Sequence, residues 1–507
     1  MAEGNASMKR LICFFILILG IFASSWASEH YVIHSISYEI EGRTRKYFIQ
    51  KLVDTKIGDE FPDRESLDAF IKDRLQILMN ERVLESAEII PSFGEPVLQE
   101  PENLEEEATF IVPVDLVVRT KDTWNLVALP YGKYDSNVGL LLALRGRDYD
   151  FFGTMKPLIL NVNWEFDNVG VQTPGLETKF SYPFQANGLD WTWDLDTELT
   201  WPDFKKLDFS LDTGIEAAIP LGKNALSFYG IQSLDIGAEN SAGVPYDDDY
   251  FFTNSIGSYF SWSVLRTKYL GSLIVRPKLN LAYRWRPGGL VDKSLAQTPV
   301  LTPSLTATFG RVNWAGNFRE GFKTVLAASY PIDLSDRSNT FILSGSASGY
   351  LDFGFFGPSA RISGFTRLDG SDNTSAGDPI RGVFNKRIRT STALFFNLDL
   401  PLRVIQFQPA NWFGVSWMRY FHFEQHWSPF LDIALVEADG RLFSPSDAWI
   451  GTGIEVITFP KAARSFYIRI SLGWDLRDVL QLKSLTGKSP RDGKNITEIF
   501  IGIGHHY

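Results

Sequence analysis

The chain has a single cysteine in 507 residues, Cys13. It falls in an opening segment expected to be removed, so the mature chain can form no disulfide and no thiolate metal site. Long apolar runs are equally scarce. Residues 11–23 are apolar but short for a spanning helix, and no later stretch offers about 18 uncharged apolar residues. If this chain crosses a membrane, it must do so with strands. An excess of basic charge is also missing: 49 Lys and Arg face 60 Asp and Glu, for a formal net charge of -11. Such a balance gives nucleic acid no basic patch to bind. The G-x-S-x-G, P-loop and zinc-protease motifs are absent. The stretch 344–349 resembles the first only superficially, with Ala347 at its centre. Nothing points to an enzyme, a cofactor or a metal. His422 and His426 have the spacing of a helical metal pair, but no third ligand is near in sequence. Between Tyr420, Phe421, Phe423 and Trp427 they read as an aromatic interfacial segment. His505 and His506 fall on opposite faces of the last strand.

What is present begins with an export signal. Lys9 and Arg10 follow Met8, the apolar run comes next, and Ser25-Trp26-Ala27 supplies the small residues that a signal peptidase reads. Residues 1–27 are therefore expected to be a cleaved signal peptide, with an N-terminal membrane anchor as the alternative.

Residues 28–122 read as a small α/β domain. A strand over 32–40 precedes a helix over 45–53 that carries Phe48, Ile49, Leu52 and Val53 on one face. Leu67, Phe70, Ile71, Leu75, Leu78 and Met79 make a second helical stripe. A strand follows at 87–90, then a polar, acidic loop over 91–108 and a third strand over 110–118. This β-α-α-β-β order resembles a POTRA domain. The matching residues are Ile36, Ile40 and Gly42, the turn Gly58-Asp59-Glu60-Phe61, and the approach from Leu75 to Val83. The resemblance implies a periplasmic domain that captures extended client segments by strand addition; a generic α/β adaptor is the alternative.

From residue 123 to 507 the helical period gives way to alternation. Trp191, Trp193, Leu195, Leu199 and Trp201 oppose Asp190, Asp194, Asp196 and Glu198. Leu158, Leu160, Val162, Trp164 and Phe166 oppose Asn161, Asn163 and Glu165. Phe466, Ile468, Ile470, Leu472 and Trp474 oppose Arg469, Ser471 and Gly473. Strands of about 9–13 residues with this pattern suit an antiparallel transmembrane β-barrel. Alternation does not tell inside from outside, so a soluble all-β protein with its apolar face inward competes. Aromatics make up 14% of the chain, including 14 Trp, and Trp at strand ends suits the interfacial girdles of a barrel. About seventeen candidate strands lie between 138 and 507. Because such barrels prefer even numbers, about sixteen are expected, with 338–368 taken as one long bent strand. Longer loops are expected near 239–249, 287–299, 369–389 and 478–494.

Three motifs in the last third resemble the BamA/TamA family of outer-membrane assembly and translocation barrels, the bacterial surface antigen type. The first is Ile380-Arg381-Gly382-Val383-Phe384 in a long polar loop, similar to the family's V-R-G-F/Y loop that folds into the lumen. Val383 stands where an aromatic is usual. The second is Phe430-Leu431-Asp432-Ile433-Ala434, similar to the F-x-D-x-G strand motif, with Ala434 for the usual Gly. The third is Ile499, Ile501, Ile503 and Tyr507, which resembles the C-terminal β-signal read by assembly machinery. Asp148 to Gly153 also resembles the family's N-x-x-G turn, more weakly. Leu431, Ile433 and Leu435 share the apolar face, so alternation turns Asp432 inward, and Asp399 likewise. The expectation is that Arg381 on the inward-folded loop pairs with Asp432, and with Asp399 as a second wall partner.

The resemblance implies a bacterial outer-membrane location with the POTRA-like domain in the periplasm. It implies as partners unfolded outer-membrane or secreted polypeptides, the lipid bilayer and accessory assembly lipoproteins, with no nucleic acid. Three functions stay open. One is an assembly factor whose seam, between a strand near 138–149 and residues 497–507, templates client strands. Another is a dedicated polypeptide secretion pore. The last is a passive porin or surface adhesin.

Overall fold

The computed structural model describes residues 29–99, 109–135, 139–167, 170–239, 245–267, 270–292, 295, 299–334, 339–368, 374–377, 379–383, 387–438 and 440–503. The signal peptide expected at 1–27, Phe384 and Tyr507 lie outside them. The chain divides into two compact units.

The N-terminal unit is a small α/β body. Its elements run strand Glu29–Glu41, helices Lys46–Val53 and Arg64–Asn80, then strands Leu84–Phe93 and Thr109–Asp122. The first and last of these strands pair in parallel. Ile33, Val112, Val114, Leu116 and Val118 of the sheet are buried with Phe48, Ile49, Val53, Leu67 and Leu78 of the helices. Lys46–Val53, with 8 residues, is too short to be stable alone in water, so packing of its apolar stripe holds it. The loop expected over 91–108 begins later than its polarity suggested. The strand continues to Phe93, and Val97–Gln99 pairs back onto the strand at Thr109–Asp122.

The second unit is one large antiparallel sheet of 21 strand segments in cyclic order. Leu126–Asp135 is its first strand and Thr497–Ile503 its last, and the two are neighbours. The seam partner expected near 138–149 is thus corrected: the strand Gly139–Asp148 sits one place further in, paired with Leu126–Asp135.

Three segments continue others. Ile332–Asp333 keeps the register of Phe318–Ser329 along Val300–Ala315. Leu402–Phe407 extends Thr392–Asp399 along Phe423–Ala438. Arg441–Leu442 precedes Trp449–Pro460 on that same partner. Among the described residues the sheet therefore makes eighteen traverses from its 21 segments, not about sixteen. Two features account for the difference. Leu126–Asp135 precedes the candidates counted in the sequence. Residues 338–368 are two strands and not one, because Gly354, with φ +81°, helps to reverse the chain between Ile342–Tyr350 and Ser359–Arg367.

The side-chain alternation is inverted relative to a soluble β protein. Leu142, Val162, Ile256, Leu305, Leu326 and Ile362 are all exposed, while Asn161, Asp432, Glu455, Arg469 and Ser471 are buried. A monomer in water rarely leaves so much apolar surface uncovered. This excludes the soluble alternative with an apolar interior. No described helix is long and apolar enough to cross a membrane.

The connections at the two ends of the sheet differ. At the end where the chain enters, they include the tight turns 187–188, 222–223 and 316–317. At the other end they include 237–249, 286–299, 368–391 and 476–496, close to the loops expected from turn chemistry.

An outward position should resist a charge that an inward one accepts. Leu305→Arg is expected to destabilise the chain in phospholipid vesicles by about 2–4 kcal/mol. Ser304→Arg, one residue away on the inner face, should cost far less. Guanidine unfolding in lipid measures both, and equal effects would count against the inverted alternation.

Candidate functional site: an arginine seated on the inner wall

The site is built on the strand Phe423–Ala438. Its alternation places Glu424, His426, Ser428, Phe430, Asp432, Ala434 and Val436 in a buried inner row. Asp432 has no exposed surface. It lies opposite Asn397 on one neighbouring strand and Gly451 on the other.

Glycine lets the 376–391 loop approach this wall. A Cβ at Gly451 would lie 1.9 Å from the Arg381 carbonyl oxygen. Gly382, with φ +79°, would set a Cβ 2.5 Å from the Trp474 backbone nitrogen. The Gly382 N–H donates to Glu498 Oε2 at 2.7 Å. Loop and wall thus meet backbone to backbone, which no other residue type permits at these two positions.

The Arg381 side chain fills the space so defined. Nε and Nη2 donate to the two oxygens of Asp432, each at 2.9 Å, and the Arg381 N–H donates to Oδ2 at 2.9 Å. Nη1 donates to Asp399 Oδ1 at 2.6 Å and lies 3.8 Å from Glu455 Oε2. Glu455 also accepts from Arg469 at 3.2 Å. The guanidinium lies over the Phe430 ring, 4.0 Å from its centroid. Arg381 is 4% exposed. A planar, permanently charged fork can serve two carboxylates at once, and an ammonium cannot do so with this geometry. Asn397 adds a bond from Nδ2 to the Pro379 carbonyl at 2.6 Å.

The flanking loop residues pack as apolar anchors. Ile380 and Val383 join Ala376, Ile388, Ala393, Phe395, Ala434 and Val436 in one buried cluster. The two departures from the family motif therefore meet. Val383 is smaller than the usual aromatic and Ala434 larger than the usual glycine, and both fill the same cluster.

A second arginine holds the loop where it returns to the wall, and the sequence reading missed it. Arg387 Nε donates to Asp492 Oδ2 at 2.6 Å and Nη2 to Asp478 Oδ2 at 3.0 Å, and Nη1 lies 3.3 Å from Asp475 Oδ2. Asp475 caps the helix Leu476–Leu482 by accepting from the Asp478 N–H. Burial pushes the Asp478 carboxyl up, but the Ser489 side chain and the Arg387 guanidinium outweigh it and hold it below its ordinary value. The available signal was Asp475-x-x-Asp478 at a strand-to-helix junction, a cap pattern, with an arginine six residues after Arg381.

Other candidate residues take different places. Ile499 and Ile501 are exposed on the outer face. Ile503 pairs through its backbone with Ile468. His426 is not interfacial. It lies in the inner row, with Nε2 2.6 Å from Glu424 Oε1 and its ring stacked on Phe318 at 4.3 Å. No group of three or more His, Cys, Asp or Glu is arranged for a metal among the described residues. The space beside Arg381, Asp399, His426 and Glu455 is about 40 Å³, room for water and for no substrate. The arrangement fastens a loop.

Arg381→Ala should destabilise the folded chain by about 3–5 kcal/mol, since it breaks a buried ion pair from one side. Arg381→Lys should recover only part of that. In both variants the 376–391 loop should become open to protease while the sheet keeps its circular dichroism. A loop equally resistant in wild type and Arg381→Ala would refute the fastening role.

No protein-family description and no curated protein matches this chain. Solved structures resemble it at low identity. CdiB from Acinetobacter baumannii is 13% identical, with a TM-score of 0.47, over 93% of this chain and 73% of that one. CdiB from Escherichia coli is 9% identical, with a TM-score of 0.39, over 95% and 91%. BamA from Haemophilus ducreyi lacking POTRA domains 1-3 is 10% identical, with a TM-score of 0.36, over 93% and 85%.

Proposed function

We propose that this chain is an outer-membrane protein of the BamA/TamA type that assists the insertion of other outer-membrane proteins. Its N-terminal α/β unit serves as a POTRA-like periplasmic domain that captures unfolded clients, and the seam between the first and last strands templates them. One observation carries the reading: the Ile380-Arg381-Gly382 motif is seated on the inner wall by Arg381 and Asp432. A passive pore has no evident use for a buried, five-group ionic fastening that stiffens one side of its wall. The inverted alternation supports the membrane location, because only hydrocarbon favours that much outward Leu, Ile and Trp.

The proposed action is edge pairing. The last strand, Thr497–Ile503, has 7 residues and the first, Leu126–Asp135, has 10. A client strand gains backbone hydrogen bonds at such an edge. A wall held rigid by the seated loop keeps the neighbouring strands in register while the edge is engaged. Glu498 of the last strand accepts the Gly382 N–H, so loop and seam are mechanically joined.

Depletion in the native host, with quantification of the outer-membrane and secreted proteomes, tests the proposal. A broad fall in barrel proteins is expected, restored by wild type and not by Arg381→Ala. Loss of one or two exported proteins alone would replace assembly by dedicated secretion. An unchanged proteome would leave the porin or adhesin reading.

A further inference from the structure

The connection 408–422 lies at the entry end of the sheet, between the connections 351–358 and 461–467. It holds a helix, Pro409–Phe413, and a 3-10 helix, Ser416–Phe421, joined through Gly414 at φ +66°. The segment is ordered by its own backbone: Gly414 donates to Ala410, His422 to Arg419, and Lys461 to His422, at 2.9–3.2 Å. Yet it buries little of its aromatic surface. Trp412, Phe413, Trp417, Tyr420 and Phe421 are each 57–66% exposed.

This surface continues beyond the segment. The Arg403 N–H donates to the Phe355 carbonyl at 2.8 Å, and the Gly357 N–H to the Pro401 carbonyl at 3.0 Å. These bonds bring the turn 351–358 alongside, with exposed Leu351, Phe353 and Phe355. Leu394, Phe396, Leu402 and Val404 on the adjoining strand face outward in the same direction as the rest of the apolar face. The patch is an extension of the surface already read as lipid-facing.

Charge points the same way. In a chain with 60 Asp and Glu, none occurs between Asp399 and Glu424, while Arg403 and Arg419 do. The connection 237–249 at the opposite end carries Glu239, Asp247, Asp248 and Asp249. Asp352 of the adjoining turn is engaged in accepting the Gly354 N–H at 2.7 Å. The segment itself carries Trp, Tyr and Arg and no carboxylate, with Glu85 from elsewhere in the chain acting on Arg419, and that composition suits a phospholipid interface.

We propose that residues 409–421, with Phe353 and Phe355, form an anchor seated in the phospholipid leaflet at the headgroup–acyl boundary, with Arg419 at a lipid phosphate. The inference rests on the membrane reading of the sheet. Length agrees with it. The traverse from Thr392 to Phe407, at about 3.3 Å per residue and tilted about 40°, rises about 40 Å. An apolar band of about 25 Å fits within this rise with one edge at the turn and the surplus at the opposite end. The anchor would fix the depth of the strand pair that carries Asp399 and Asp432.

The test uses the full chain with Cys13→Ser, refolded into phosphatidylethanolamine–phosphatidylglycerol vesicles. Nitroxides are placed singly through Phe413→Cys and Trp417→Cys. Leu305→Cys on the outer sheet face and Asp247→Cys in the opposite loop serve as references. Collisions with oxygen and with a water-soluble nickel chelate report depth. Positions 413 and 417 should favour oxygen, between the values of 305 and 247. Nickel-favouring values equal to that of 247, with 305 still favouring oxygen, would overturn the anchor and leave the membrane reading intact. Exclusion of both reagents at 413 and 417 would also overturn it, in favour of a covering protein. If 305 itself favoured nickel, the membrane reading would fall first. As a check independent of labelling, Arg419→Glu should shift position 417 toward nickel while Arg419→Lys does not.

Discussion

A carboxylate with no exposed surface in the wall of a sheet is tolerable only when charge and hydrogen bonds meet it there. Asp432 is that group, and the requirement organises its surroundings. The strands beside Asp432 offer Asn397 and Gly451, so its cation comes from the loop that leads into Thr392–Asp399. To reach it, the loop must fold inward and lie on the wall, which demands glycine at 382 and 451. The remaining guanidinium donor, Nη1, is met by Asp399, and Glu455, also in range, has Arg469 as its own partner. Breaking the pair from one side would cost about 3–5 kcal/mol, a large share of the stability of an ordinary domain. The cost falls on one loop position, so the loop is held in one place.

The same inversion that puts Asp432 inside puts leucine outside. A soluble sheet buries apolar side chains and solvates its other face. Here the inner face near the loop carries Asp432, Glu455, Arg469 and Ser471, packed against one another and against loop backbone, while Leu305, Leu326 and Ile362 point outward. Internal satisfaction of polar groups and external exposure of apolar ones are a single design, since a hydrocarbon solvent pairs no donor and penalises no methyl group.

Much of this was legible because its signals are local. Period two over strands such as Leu189–Thr200 and Phe423–Ala438, and the stripes of Lys46–Val53 and Arg64–Asn80, appear within a dozen residues. Within the barrel reading, the side of Asp432 followed from Leu431, Ile433 and Leu435. What was illegible depends on distance. His426 looked interfacial because its sequence neighbours are aromatic, but alternation in the same strand turns it inward onto Phe318, more than a hundred residues away. Arg387 has no motif; its meaning lies in Asp475, Asp478 and Asp492, brought near by the last two strands. The strand number differed at Leu126–Asp135, which was not counted, and at Gly354, where an even-number preference overrode a turn signal.

The two arginines divide the loop's attachment in a way that one could not. Arg381 binds deep, to carboxylates on Thr392–Asp399 and Phe423–Ala438; Arg387 binds where the loop returns to the wall, to carboxylates at and after the end of Ile468–Asp475. Gly382 adds a bond to Thr497–Ile503. The loop therefore spans the sheet from the strands that carry the buried carboxylates to the last strand, and any rotation of that last strand would strain both ion clusters. A charged cluster is stiff because separating its members leaves charge poorly solvated, whereas apolar contacts such as those of Ile380 and Val383 yield more gradually. The end of the sheet is thus braced by ionic contacts on its inner side, and the brace reaches the last strand through the bond from Gly382 to Glu498.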